Sequence, residues 1–241
     1  TLDRSSAASD VYKRQPLEAD VVRMYSCGPT VYRSAHIGNF RSYLMADWIK
    51  RILISEGLDV IHVKNITDVG HMRQDRLEEE EDKVIAAALS EGKTPEQIAM
   101  FYTDIFLKDE ERLGIKPASY MPKATEHIPE MVGIIETLKE IGYAYEVAGN
   151  VYFSVSMSET YGNLSGNREN YLREAVRVEE DPFKRDPRDF ALWKASEPGR
   201  TLQWSSPWGM GFPGWHIECS AMAVKYLGQQ IDTVSYTHLR A

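Results

Sequence analysis

Residues 20–27 (DVVRMYSC) are β-branched and alternate between apolar and polar positions, and the run halts at Gly28-Pro29, which predicts a short, mostly buried strand. A loop follows. In GNFRSYLMADWIKRILISEG, Phe40, Leu44, Trp48 and Ile52 recur at four-residue steps and Gly57 supplies a stop, so the segment reads as an amphipathic helix. Residues 58–64 (LDVIHVK) then read as a second strand. Strand, helix and strand in this order fit a right-handed parallel crossover, and the fold class that follows is an α/β nucleotide-binding sheet.

Further along, the acidic run LEEEEDK at 77–83 reads as the solvated start of a helix and is given no chemistry. Thr94-Pro95-Glu96-Gln97 combines a capping hydroxyl, a proline at the first helical position and a glutamine three residues after the cap, which predicts a helix reaching Gly114. Thr125 opens another, ending near Gly142. YAYEV and NVYFSV flank Ala148-Gly149 as the arms of a β-hairpin, and a Gly/Asn/Ser-rich passage continues through Asn170, so a small β-rich module is expected here. From Asp189 the chain reads DFALWKASEPGR, and a Pro/Gly-rich loop then feeds a helix closed by Gly228. No internal repeat is visible. Residues 1–15 and 233–241 break from the patterns beside them; both are read as non-native ends and set aside, His238 with them.

Composition narrows the function classes. The chain has 241 residues with 43% hydrophobic and 27% charged, which excludes wholesale disorder. A net charge of −8 argues against nucleic-acid affinity spread over the whole surface, so any RNA contact is expected to be local. No apolar run approaches the roughly 18 residues of a membrane span and no leader pattern opens the chain, so no membrane partner and a cytoplasmic location are expected. The two cysteines, Cys27 and Cys219, are too few for a disulfide framework; a bridge, a metal pair and two unrelated thiols all stay open.

Two segments can carry chemistry. At CGPTVYRSAHIGN a strand ends, a loop turns and a helix begins, so unpaired N–H groups gather where Gly38 lets an anion approach and His36 can donate to its oxygens. Adenylate formation needs such donors, since charge builds on phosphoryl oxygens as pyrophosphate leaves and Mg²⁺ shares the stabilisation. A histidine can equally just pack at a helix start. At WHIEC, a helix beginning near Gly214 would set Trp215 and Cys219 one turn apart on one face; a core tryptophan over a buried thiol gives the same pattern.

MYSCGPTVY followed by HIGNFRSYLMADWIKR, NITDVGHM, DFALWK, SPWG and PGWHIECSAMA resembles the cysteinyl-tRNA synthetases in order and spacing, over residues 19–232. The resemblance implies a class I aminoacyl-tRNA synthetase: a Rossmann-type parallel sheet interrupted by a small connective insertion, joining cysteine to tRNA(Cys) through cysteinyl adenylate with ATP, Mg²⁺ and Zn²⁺. It implies a first half of the catalytic domain at 16–142, the insertion at 143–200 and the start of the second half at 201–232. It makes Cys27 and Cys219 zinc ligands whose metal holds the substrate thiolate, a soft centre that favours sulfur over hydroxyl. His36, Ile37, Gly38 and Asn39 stand at the His-Ile-Gly-His signature that grips ATP, His36 and Asn39 as its catalytic members and His216 facing the adenylate. Thr67 and Trp215 line the cysteine pocket, with Gly28 and Thr30 in its floor.

Asn39 departs from the signature, since an amide donates a hydrogen bond but carries no positive charge. The family's His-His-Glu-Asn-Glu segment, its Lys-Met-Ser-Lys-Ser loop and its anticodon-reading part have no counterpart in these residues, so the chain reads as an N-terminal fragment with negligible aminoacylation and weak zinc retention of its own. Two other readings are a cysteine ligase acting on an amino-sugar, as in mycothiol synthesis, and a non-catalytic nucleotide-binding fragment.

Overall fold

A computed structural model describes residues 16–69, 92–161, 181–196, 200, 202–214 and 216–235. The acidic run at 77–83 and most of the Gly/Asn/Ser-rich passage lie outside the described residues. The chain divides into two units, one of residues 1–67, 96–123 and 223–241, the other of residues 68–95 and 124–222.

The first unit holds the predicted strand, helix and strand. β1 (Val21–Ser26) and β2 (Asp59–Lys64) pair in parallel, Val21 opposite Asp59 through Ser26 opposite Lys64. Between them α1 (Ile37–Ser55) runs for 19 residues. Its buried positions are Phe40, Tyr43, Ala46, Asp47 and Lys50, whereas Trp48 and Ile52 are 57% and 61% exposed. The four-residue stripe read from the sequence therefore leaves the core after Leu44, because each such step drifts by about 40° around a helix of 3.6 residues per turn. The polar residues on the inner face are held by the loop after α2 (Pro95–Arg112). Lys50 Nζ donates to the Pro117 carbonyl at 2.7 Å, and Asp47 accepts from Lys116 N–H at 2.9 Å while pairing with Arg51.

α1 and α2 meet in an apolar cluster containing Val31, Phe40, Tyr43, Ile66, Phe106 and Ile115. The Phe106 ring stacks on Phe40 with centroids 5.8 Å apart and meets Tyr43 edge-on at 5.1 Å. Burying a phenylalanine contributes roughly 1.5–3 kcal/mol, so this aromatic trio accounts for much of what holds the helices together. A third parallel strand, β8 (Thr233–Ser235), lies on the other side of β1, giving the order β2-β1-β8. The residues from Thr233 to Ser235, set aside as tail, are thus part of the sheet. Asp232 fastens their approach by accepting from Leu17 and Arg23 N–H, each at 2.7 Å.

In the second unit a 3₁₀ turn (Ala124–His127) leads into α3 (Ile128–Glu140), as Thr125 foretold. The hairpin is also present: β3 (Ala144–Val147) and β4 (Asn150–Phe153) are antiparallel, joined by Ala148 and Gly149 at φ 51° and 79°. Two positive φ values in a two-residue loop match the right-handed twist of the arms. β5 (Phe190–Ala195), β6 (Trp204–Ser206) and β7 (Gly209–Pro213) complete a five-stranded sheet in the order β3-β4-β5-β7-β6. This sheet runs on to Pro213, so it does not end at the residue-200 boundary drawn from the sequence. α4 (Ile217–Leu227) follows, starting three residues later than the Gly214 start expected.

His62, in the first unit, is a buried titratable group. Its Nε2 is hydrogen-bonded to Ser26 Oγ at 2.7 Å, and its Nδ1 is buried with no hydrogen-bond partner. Burial first, then the neighbouring Lys64 charge, push its pKa down from 6.5 to about 3. The unfolded chain therefore binds a proton here that the folded chain rejects. Stability from this site is complete above pH 6.5 and is lost as pH falls toward 3, with a limiting slope of about 1.4 kcal/mol per pH unit. Denaturant midpoints measured from pH 7 to pH 3.5 should fall less steeply for His62→Gln than for the parent. Parallel curves would refute the assignment.

Candidate active site

In the first unit the chemistry-bearing residues gather where β1 and β2 end. Cys27 is buried directly after β1, and Gly28-Pro29-Thr30 run beside Asn65-Ile66-Thr67. Thr67 N–H donates to the Pro29 carbonyl at 2.9 Å and Val31 N–H to the Thr67 carbonyl at 3.1 Å, forming a parallel bridge between Thr30 and Thr67. Gly28, Thr30 and Thr67 thus lie close together. The clasp between them is Asn65, which is wholly buried. Its Oδ1 accepts from Gly28 N–H and from Tyr25 O–H, both at 3.0 Å, and its Nδ2 donates to Thr67 Oγ1 at 2.9 Å.

Sequence reasoning passed over Asn65 although it stands inside the quoted NITDV segment. The available signal was a polar residue directly after an apolar strand, where an amide can satisfy two chains at once. Asp68, the next acidic residue, belongs to the second unit and holds Thr125 there. It accepts from Thr125 N–H at 2.9 Å and Oγ1–H at 2.6 Å, fixing the start of the 3₁₀ turn.

The start of α1 is built from the signature residues. His36 is the N-cap: its Nδ1 accepts from Gly38 N–H at 3.0 Å, and Asn39 Oδ1 accepts from His36 N–H at 3.0 Å, a reciprocal capping box. Asn39, the departure from the signature, is therefore a structural acceptor for the backbone here. Because Nδ1 accepts, a neutral His36 ring carries its proton on Nε2, where it can be donated. His36, Ile37 and Gly38 are exposed, so the first turn is open to a ligand.

In the second unit His216 has φ 72° immediately before α4, and Cys219 sits in the helix's first turn. A ring nitrogen of His216 and the Cys219 Sγ lie within 4.8 Å of each other. Imidazole and thiol are a donor pair that suits zinc. His216, read from the sequence as an adenylate contact, thus stands beside Cys219. Trp215 lies outside the described residues. Among the described residues no helix is long and apolar enough to cross a membrane.

The described residues thus combine a parallel sheet, with a capped helix after its first strand, and an antiparallel sheet that follows its second strand in sequence. The family model of the tRNA synthetases class I (C) catalytic domain matches residues 13–236, and the chain belongs to that family. Among its relatives, the cysteine–tRNA ligase of Chlorobium chlorochromatii is 49% identical over 219 residues, covering 90% of this chain and 45% of the relative. That of Pyrococcus horikoshii is 45% identical over 218 residues, covering 90% and 43%. The chain spans a little under half the length of these relatives. The fold is shared with the Mycobacterium tuberculosis methionyl-tRNA synthetase solved with methionyl-adenylate, at TM-score 0.52 and 13% identity over 87% of this chain and 47% of that one. A putative arginyl-tRNA synthetase from Campylobacter jejuni gives TM-score 0.51 and 13% identity, over 92% and 47%.

Proposed function

We propose that this chain is the cysteine-activating part of a cysteine–tRNA ligase: it binds ATP and cysteine, forms cysteinyl adenylate, and in the longer protein passes cysteine to tRNA(Cys). The observation that carries this reading is the family match across residues 13–236, together with relatives near half identity whose printed name is cysteine–tRNA ligase. The amino-sugar acceptor has no observation in its favour.

In this reading His36 donates from Nε2 to the phosphate oxygens of ATP. The first turn of α1 adds its N–H groups, Gly38 leaves room for the approach, and Mg²⁺ accompanies the nucleotide. Asn39 acts by holding that turn in shape. Gly28, Thr30, Thr67 and Trp215 surround the cysteine. Cys27 and Cys219 are the thiols that the family resemblance makes zinc ligands, and His216 adds an imidazole beside Cys219; thiols and imidazole are donors that zinc favours over harder ions. When bound, zinc supplies a soft Lewis acid for the substrate's thiol, and so separates cysteine from serine where shape alone discriminates weakly.

The test is ATP/pyrophosphate exchange by the protein carried through to the length of its relatives. Exchange is expected with cysteine and not with serine, and chelation of zinc should abolish it. Equal exchange with serine, or full selectivity after zinc removal, would reject the mechanism.

A further inference from the structure

We propose that Asn65 is a positioning residue for amino-acid recognition, acting through the hydroxyl of Thr67. The inference rests on the functional reading above but on separate observations, all within the first unit. Asn65 is 0% exposed, so each of its polar atoms needs a protein partner. Its Oδ1 takes two donors, from Gly28 and Tyr25, which fixes the amide's orientation: oxygen toward the β1 end, nitrogen toward Thr67. The Nδ2 group then donates to Thr67 Oγ1 at 2.9 Å.

A threonine hydroxyl has one proton and two lone pairs. With one lone pair occupied by the amide, Oγ1 is held as an acceptor toward Asn65, and its single proton is left to be donated elsewhere. Thr67's backbone is pinned on both sides, its N–H to Pro29 and its carbonyl to Val31, so its Cα stays in place and the bond from Asn65 sets where the hydroxyl points. Asn65 therefore decides the polarity of the hydroxyl: Thr67 becomes a preset donor, suited to an electron-rich atom of the amino acid such as a carboxylate oxygen or a sulfur. An unconstrained hydroxyl would have to be oriented on each binding event, which costs affinity.

Asn65→Asp tests this, because it keeps the oxygen that accepts from Gly28 and Tyr25 but replaces the amide donor by an acceptor, turning the Thr67 proton inward. In the full-length protein, cysteine-dependent exchange by Asn65→Asp is expected to show KM for cysteine raised about ten-fold, the net worth of one hydrogen bond. KM for ATP and kcat should stay close to the parent. In a Thr67→Val background the same substitution should change KM for cysteine no further, since the hydroxyl it acts on is gone. Tyr25→Phe, which removes one anchor and leaves the Nδ2 donor, should lower the melting temperature without moving KM. Should Asn65→Asp not fold, Asn65→Ser removes the amide donor without adding charge and carries the same comparison. Additive effects in the double variant, or parallel changes in both KM values and in kcat, would overturn the proposal and make Asn65 a purely structural clasp. A parent protein with no cysteine-dependent exchange would instead reject the functional reading.

Discussion

Gly28→Ala is expected to lower the unfolding free energy by about 3 kcal/mol or more and to abolish cysteine-dependent exchange. A Cβ at this position would lie 1.6 Å from the Asn65 carbonyl oxygen and 2.8 Å from its carbonyl carbon, and both are backbone atoms with nowhere to retreat. The strand ends would have to separate, breaking the Gly28 N–H bond to Asn65 and the Thr67 N–H bond to Pro29. Cys27 and Thr67, which sit beside those bonds, would move with them. Gly133→Ala is the control: it lies in α3 with nothing within 4 Å of an added Cβ, so there the helical preference for alanine should add roughly 0.5–1 kcal/mol. Chemical denaturation of the three proteins decides it. A Gly28→Ala midpoint equal to the parent's would mean that the close approach of these two strand ends is not real.

That contact illustrates which parts of the molecule were legible in the sequence. The first two strands, the helices and the hairpin were, because each is written in local signals: period-two runs for β1 and β2, Thr94-Pro95 before α2, Ala148-Gly149 between β3 and β4. The signature around His36 was visible as a motif, and its place at a helix start followed from the pattern around it. What could not be read was anything set by pairing over long separations. Asn65 meets Gly28 across 37 residues and Lys64 meets Glu110 across 46, with no periodicity to mark either. The end of the antiparallel sheet was misplaced for a related reason. β6 and β7 are three and five residues long, interrupted by Pro207 and rich in glycine, so they look like loop until their partners are known. Trp48 and Ile52 drift out of the core with the helical period, and the inner face instead includes Asp47 and Lys50, whose burial depends on acceptors and donors in the loop after α2, again partners far off in sequence.

The largest electrostatic effect is expected from Glu110→Gln. Lys64, at the end of β2, and Glu110, on α2, form a salt bridge with side chains only 2% and 6% exposed. The Lys64 ammonium also lies 5.3 Å from the Phe106 ring centroid and 5.9 Å from that of Tyr43, with Asp47 as a further, weaker negative charge acting on it. Burial pushes the Lys64 pKa down and the Glu110 pKa up, while each partner's charge opposes the other's shift. Removing the carboxylate leaves a cation without its counter-charge, at a cost of about 3–5 kcal/mol, whereas replacing both residues by apolar ones of similar volume should be nearly neutral. The sign with pH follows from the same balance. Without Glu110 the Lys64 pKa falls further, so the folded chain sheds its proton at lower pH, and the deficit of Glu110→Gln should shrink as pH rises from 6 toward 9. Denaturant melts of Glu110→Gln and of Lys64→Met with Glu110→Leu, each taken at both ends of that range, measure the effect. A deficit independent of pH would mean that the ammonium is not what is left stranded. Because Asn65 follows Lys64 directly, the paired charges and the Gly28 contact both hold the end of β2, and the same substitution should weaken the Asn65 clasp along with the core.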